Sequence, residues 1–330
     1  MDYSELAKLA SGHVEARIVQ TAAGLGIFDA FKEKNRSASE IASAVAADER
    51  ATELLLNALA ALGLVLKTGR LFSLAPISST YLVRGSPKYF GGMIQFESSL
   101  WDSWGALEEA VRSGGPVRSP DMYQADPKET ERFIEAMDSL VKARGDAEIT
   151  AKHLDLAGVE VLLDIGSGPG TYPIYFCREY PKLRATIVDL PGTIKITERF
   201  VRASEVSDRI RLVAGDYHTD PLPGPCQMAF LSNIIHGETA EENRRLIAKV
   251  YASLERGGRV FIKDHILDDT MAHPPVGAIF SLLMLLTTAG GRCYSLREVS
   301  GWLEGAGFRR VHDLKLPPPL TSSLVFGVKG

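Results

Sequence analysis

The segment Asp164-Ile165-Gly166-Ser167-Gly168-Pro169-Gly170 crowds three glycines into one turn directly after the apolar run Val161-Leu162-Leu163. Glycine has no Cβ, so such a turn lets a ligand come close to the main-chain amides where a strand feeds a helix. A second apolar run ends at Asp189, 19 residues beyond Gly170, where a carboxylate can accept hydrogen bonds from both hydroxyls of a ribose. A third closes on Gly215-Asp216-Tyr217, which would set a carboxylate and an aromatic ring beside an adenine; taken alone, the tripeptide is equally a polar strand-end loop. The glycine spacing narrows the ligand. Dinucleotide dehydrogenases carry GxGxxG, whereas this chain has GxGxG with Thr171 where the last glycine would stand, which disfavours a pyrophosphate cradle.

A second group of chemically able residues lies further on. His236 follows the apolar stretch from Met228 to Ile235, and at a strand end its side chain can point over the sheet edge into a cleft. Asp264 and His265 close the next strand. Together the three are of the types found in a two-histidine, one-carboxylate metal site, but adjacent residues at a strand end point apart, which argues against a metal.

The elements that must hold these residues are legible as periodicities. From Val161 onward, strands at Val161-Leu163, Ala185-Val188, Ile210-Val213, Met228-Ile235 and Arg259-Lys263 alternate with helical segments, which implies a parallel sheet with crossover helices. A helix from Ser295 to Ala306, a strand around Arg310 to Leu314, the turn Pro317-Pro318-Pro319 and a strand from Leu324 to Lys329 end the chain. The last two strands must be antiparallel, because their connection is too short for a crossover. Toward the N-terminus, residues 5 to 31 have helical spacing, Ser37 and Glu40 form a capping box, and Ala51 to Leu62 is almost wholly apolar before Gly63. The strands Leu64-Leu66 and Leu71-Leu74 then complete a winged-helix pattern. From Arg50 to Gly63 the only charges are Arg50 and Glu53, so this helix reads as a protein interface and not as a reader of a DNA groove.

Composition sets the outer limits. The 330 residues, 45% hydrophobic and 24% charged, suit a globular protein of two domains. A net charge of −4 gives no footprint for a polyanion. Cys177, Cys226 and Cys293 are too widely spaced for a disulfide framework or a zinc knuckle, in keeping with a reducing cytoplasm. The apolar run Val276 to Ala289 is 14 residues long, short of a membrane span of roughly 20, and reads as a buried helix.

A strand ending in GxGxG, with acids closing the next two strands, resembles the class I S-adenosylmethionine (SAM) dependent methyltransferases. The winged-helix part, the helical bridge, Asp189-Leu190-Pro191, Gly215-Asp216, Asn233-Ile234-Ile235-His236 and Gly290-Gly291-Arg292 follow in the order seen in the plant and bacterial caffeate and hydroxyindole type O-methyltransferases. That resemblance covers nearly the whole chain. It implies SAM as cofactor, with contacts from Gly166, Gly168, Asp189, Leu190, Asp216, Tyr217 and Ser232, the last standing where plant members have a lysine. It implies His236 as general base, since an imidazole with a reference pKa of about 6.5 can accept a hydroxyl proton near neutrality, and Asp264 as the carboxylate that orients it. Cys293 stands where the family has a second acid, and Gly237 replaces the aspartate that follows the base. The acceptor walls map onto Phe133, Met137 and Met284, with Trp101, Trp104, Phe280 and Cys293 able to extend them; each apolar one is also readable as plain core.

The expected fold class is therefore α/β: a Rossmann-like methyltransferase sheet with an antiparallel C-terminal hairpin, preceded by a mainly helical winged-helix dimerisation domain. Expected boundaries are 1–95 for that domain, 96–155 for the helical bridge and 156–330 for the catalytic domain. The expected function is SAM-dependent methyl transfer to a hydroxyl of a small aromatic or polyketide-like acceptor by a cytoplasmic homodimer, without nucleic-acid or membrane partners and without a metal. Two rivals stand beside it: a C-methyltransferase of the same fold, favoured by Cys293 and Gly237, and a SAM-binding or DNA-binding winged-helix regulator without catalysis.

Overall fold

In the computed structural model, which describes residues 1–32 and 34–330, the chain divides into two compact units: Met1–Trp101 with Glu135–Ala143, and Asp102–Ile134 with Arg144–Gly330. The first unit opens with helix α1 (Tyr3–Leu25), capped where Asp2 accepts the Glu5 amide at 2.9 Å and Glu5 returns the bond to the Asp2 amide at 2.8 Å. A two-residue strand β1 (Arg36–Ser37) leads into α2 (Ala38–Ala44). Ser37 and Glu40 form the capping box that their spacing predicts, with the Ser37 amide 2.8 Å from Glu40 Oε2. Helix α3 (Glu49–Ala61) and the hairpin of β2 (Val65–Thr68) and β3 (Leu71–Leu74) complete the winged-helix arrangement, with β1 paired to β3. Its core is a cluster around Ile27, Phe28, Phe31, Ile41, Leu56, Leu59 and Phe72.

The second unit carries α4 (Asp146–His153) and then the alternating pattern: β4 (Val161–Ile165), α5 (Thr171–Glu179), β5 (Arg184–Asp189), α6 (Pro191–Arg202), β6 (Ile210–Ala214), β7 (Cys226–Ser232), α7 (Ala240–Ser253) and β8 (Leu254–Asp264). Helices α8 (Pro275–Thr287) and α9 (Leu296–Gly305) and strands β9 (Phe308–Leu314) and β10 (Ser323–Lys329) follow. The seven strands lie in the order β6-β5-β4-β7-β8-β10-β9. The first five are parallel, while β10 runs antiparallel to β8 and to β9. Leu163, Ile165, Ala229, Leu231, Val260 and Ile262 are fully buried on the central strands and join Val299, Leu303 and Phe308 in one core. Each of these side chains larger than alanine contributes about 1.5–3 kcal/mol by leaving water, which helps hold the strand ends in register.

The order in which strands are added switches sides at β4, which has β5 on one side and β7 on the other. That is where the carboxyl ends of parallel strands leave a crevice. Two details depart from the sequence reading. Strand β7 stops at Ser232, short of Ile235, because Asn233 takes a left-handed conformation (φ 58), one that asparagine tolerates better than most residues. Helix α8, expected to be buried, keeps Ile279 61% and Leu282 38% exposed, its inner face being Gly277, Leu283, Met284 and Leu286. Among the described residues, no helix is long and apolar enough to cross a membrane.

Candidate active site

The glycine turn after β4 is built from left-handed residues, Gly166 (φ 67), Gly168 (φ 59) and Gly170 (φ 76), a run that side chains with a Cβ would strain. At Gly166 a Cβ would also overlap the Ile234 side chain. Asp189, ending β5, accepts the Gly168 amide at 2.8 Å on one oxygen and the Leu190 amide at 2.7 Å on the other. Gly166, Gly168, Asp189 and Leu190, separate in sequence, are thus brought to one corner. Loss of hydration pushes the Asp189 carboxyl up to about 6 against the pull of those amides. Behind it, burial pushes Asp164 up to about 8, although Ser167 donates to one of its oxygens at 2.9 Å; its other oxygen has no partner.

Strand β6 lies next to β5 and delivers Asp216 and Tyr217 to the same edge, where the Gly215 amide donates to the Asp189 carbonyl at 3.0 Å. The Tyr217 ring approaches Gly166, and its hydroxyl donates to Glu238 Oε1 at 2.6 Å. Burial, Glu238 and Asp189 all hold that phenol well above its ordinary range. The loop is clamped from outside by Lys249, whose ammonium donates to the carbonyls of Tyr217, His218 and Asp220 at 2.8–2.9 Å. Sequence reasoning missed both Glu238 and Lys249: neither has a motif, and only the packing of α7 and of the turn just before it brings them here. Ser232, at the end of β7, is half-buried and accepts from the Asn233 amide group at 3.2 Å.

His236 lies on a single 3₁₀ turn, Ile235–Gly237, and not on the strand itself. Two contacts fix that turn. Buried Asn243 donates to the Ile235 carbonyl at 2.8 Å, another residue without a sequence signal. Gly291 packs against the turn so closely that a Cβ would overlap the His236 carbonyl oxygen, which gives the Gly290-Gly291-Arg292 motif a physical reason. His236 is 9% exposed, and its Nδ1 lies 2.7 Å from Asp264 Oδ1. Burial by itself would raise the Asp264 carboxyl, but His236 and His265 beside it hold it below its ordinary value. An ionised carboxylate can only accept, so Nδ1 carries a proton, which in the neutral imidazole leaves the lone pair on Nε2.

Around this pair stand Phe280 and Cys293. The Phe280 ring, on α8, meets His236 edge-on at 4.8 Å. Cys293 is buried, its amide donates to Ser281 Oγ at 3.1 Å, and burial together with the Asp264 charge pushes its thiol up to about 12. It is therefore neutral and supplies neither acid nor base at neutral pH. Met284 is buried one turn beyond Phe280 on the same helix. Phe133 stacks on Tyr123 at 4.6 Å within the same unit. Met137 and Trp101 belong to the first unit, where the Arg17 guanidinium lies 5.0 Å from the Trp101 ring.

Comparison with known proteins agrees with this geometry. The family model for the O-methyltransferase domain matches residues 104–309, and that for the O-methyltransferase dimerisation domain matches residues 7–84. The chain is 32% identical to the 3-hydroxy-5-methyl-1-naphthoate 3-O-methyltransferase of Streptomyces sahachiroi, over 98% of this chain and 94% of that one. It is 29% identical to the tetracenomycin polyketide synthesis 8-O-methyl transferase TcmO of Streptomyces glaucescens, over 97% and 95%. Its fold superposes on human N-acetylserotonin methyltransferase in complex with SAM with a TM-score of 0.90 at 24% identity, covering 100% of this chain and 99% of that one. The chain belongs to the SAM-dependent O-methyltransferases that carry an N-terminal dimerisation domain.

Proposed function

We propose that the protein methylates a hydroxyl of a small aromatic or polyketide-like acceptor, with His236 as general base and Asp264 as the positioning carboxylate. The observation that carries this reading is the buried 2.7 Å bond between His236 Nδ1 and Asp264 Oδ1. It leaves an imidazole lone pair at the crevice whose other wall is the glycine turn and Asp189. The naphthoate and the tetracenomycin polyketide named for the two relatives support an aromatic or polyketide-like acceptor.

Gly166, Gly168, Asp189, Leu190, Asp216, Tyr217 and Ser232 are the residues that would hold SAM. Two features fit it: a carboxylate already organised by two amides, and an aromatic ring beside the turn. When bound, SAM supplies a methyl group on a sulfonium, a carbon activated before it meets the protein. His236 Nε2 takes the proton of the acceptor hydroxyl as that oxygen forms its bond to the methyl carbon, and the carbon–sulfur electron pair stays on sulfur. Asp264 holds the imidazole in the tautomer this needs. Phe280, Met284, Cys293 and Phe133 form apolar walls within the second unit. The N-terminal dimerisation domain makes the working species a homodimer.

The test combines binding and turnover. Titration with S-adenosylhomocysteine should show micromolar affinity that Asp189→Ala abolishes. With an acceptor that is turned over, His236→Ala should lower kcat by about 10²–10⁴, the usual share of a general base, while leaving S-adenosylhomocysteine affinity intact. Full activity in His236→Ala would sink the base assignment.

A further inference from the structure

An imidazole and two carboxylates that the mechanism does not use meet beside Tyr217. His218 follows Tyr217 on the loop after β6, Glu238 caps the end of the 3₁₀ turn that carries His236, and Glu242 stands in the first turn of α7. His218 Nε2 lies 3.2 Å from Glu238 Oε1, and one ligand atom from each of the three lies within 4.8 Å of the others. The group shares no residue with His236, Asp264 and His265, whose types suggested a metal in the sequence, and only folding assembles it.

Bonds of about 2.0–2.2 Å to one tetrahedral zinc set its ligand atoms about 3.3–3.6 Å apart. His218 and Glu238 already stand near that spacing, and Glu242 reaches it by turning its half-buried carboxylate. Carboxylates that ligate metals are oriented by donors of their own, and both have them here. Tyr217 donates to Glu238 Oε1 at 2.6 Å, and Thr239 donates to Glu242 Oε2 through its amide at 2.9 Å and its hydroxyl at 2.6 Å. Lys249 fixes the His218 carbonyl at 2.8 Å. A carboxylate has about four acceptor positions, so these bonds leave lone pairs for an ion. Glu238 is 7% exposed with a second carboxylate beside it, and the positive partner both share is an imidazole that carries charge only when protonated. A divalent cation supplies that charge whatever the protonation of His218. The exposed His218 side chain leaves the group open to solvent.

We propose that His218, Glu238 and Glu242 bind a divalent transition ion of the zinc class, with water completing its coordination, and that the bound ion rigidifies the Tyr217–His218 loop. One imidazole with two carboxylates suits Zn²⁺ better than Mg²⁺ or Ca²⁺, which take oxygen ligands. The ion should also tighten cofactor binding, a consequence that rests on Tyr217 as a SAM contact.

The experiment titrates the tag-free, chelator-stripped full-length protein with Zn²⁺ by calorimetry. One equivalent per chain should bind with micromolar affinity, and Mg²⁺ should not bind measurably. His218→Ala and Glu242→Gln should each weaken Zn²⁺ by about tenfold or more, at least the loss that follows removal of a metal's supporting residues. The glutamine keeps an oxygen to cap α7. His312→Ala, which removes an exposed histidine on β9, should bind Zn²⁺ as the wild type does. Co²⁺ in place of Zn²⁺ should give the visible absorption of a tetrahedral site, and His218→Ala should lose it. S-adenosylhomocysteine affinity should rise about fivefold or more with Zn²⁺ bound. No Zn²⁺ binding, several weak equivalents, or full affinity in both site variants would overturn the site. Specific Zn²⁺ binding with unchanged or weaker S-adenosylhomocysteine affinity would overturn the link through Tyr217 and leave the site standing. Specific Zn²⁺ binding by a protein that takes up no S-adenosylhomocysteine at all would instead overturn the cofactor corner.

Discussion

Asp189 holds its carboxylate between two amides with little water around it, and as the proposed ribose acceptor it should make cofactor binding sensitive to acid. Its folded-state value of about 6 lies above the ordinary range because lost hydration outweighs the bonds from Gly168 and Leu190. Ribose hydroxyls need the ionised form as an acceptor. Affinity for S-adenosylhomocysteine should therefore be level above pH 6 and fall as pH drops through it, by about tenfold per unit once the carboxyl is mostly protonated. Asp189→Asn should bind more weakly and lose that dependence; titration at several pH values checks both, and a flat wild-type profile would be incompatible with the account. Asp189 and the glycines were legible in the sequence because turn chemistry and strand-end acids are local signals. The pairing of His236 with Asp264 was readable only through family resemblance. The roles of Glu238, Asn243 and Lys249 were not readable at all, since each is a contact across 5 to 32 positions with no spacing to betray it.

At the scale of elements, the sequence located every strand of the parallel sheet, the closing antiparallel pair and the wing hairpin, because alternation, crossover length and turn residues are properties of short windows. It misplaced the end of β7, where apolar residues run past the last strand bond into the turn that carries His236. Ile234 and Ile235 are apolar for another reason: one lies over the glycine turn and the other enters the core. His236, the proposed base, is therefore positioned by the backbone of a turn, and Gly291 is what allows the facing loop to approach it. Gly291→Ala should push the His236 turn away, costing about 1–3 kcal/mol of stability and lowering kcat by at least tenfold. Affinity for S-adenosylhomocysteine should hardly change, because the Asp189 corner is built from other segments. Thermal unfolding, kinetics and titration on one preparation separate these effects, and a variant with normal kcat would show that the close approach is not needed.

The whole molecule poses a question of burial. Helix α1 runs for 23 residues, yet only Ala22 and Ala23 are buried against the rest of the chain. Leu6 and Leu9, one turn apart and so on one face, are 56% and 69% exposed. Most helical stability in proteins comes from tertiary packing of an apolar face, and Leu6 and Leu9 leave such a face of α1 open to a partner. The dimerisation-domain match over residues 7–84 supplies the partner, a second copy of the chain. Burial of the two leucines would contribute about 1.5–3 kcal/mol each in each protomer, and a C2 interface counts every contact twice. Light scattering should accordingly give about twice the chain mass of 35.9 kDa. The double variant Leu6→Glu, Leu9→Glu should weaken dimerisation by about a hundredfold or more and yield monomer at micromolar concentration. Because the Asp189 corner lies wholly within the second unit, the monomer should still bind S-adenosylhomocysteine. A wild-type monomer, or a double variant that stays dimeric, would place the interface elsewhere than on α1.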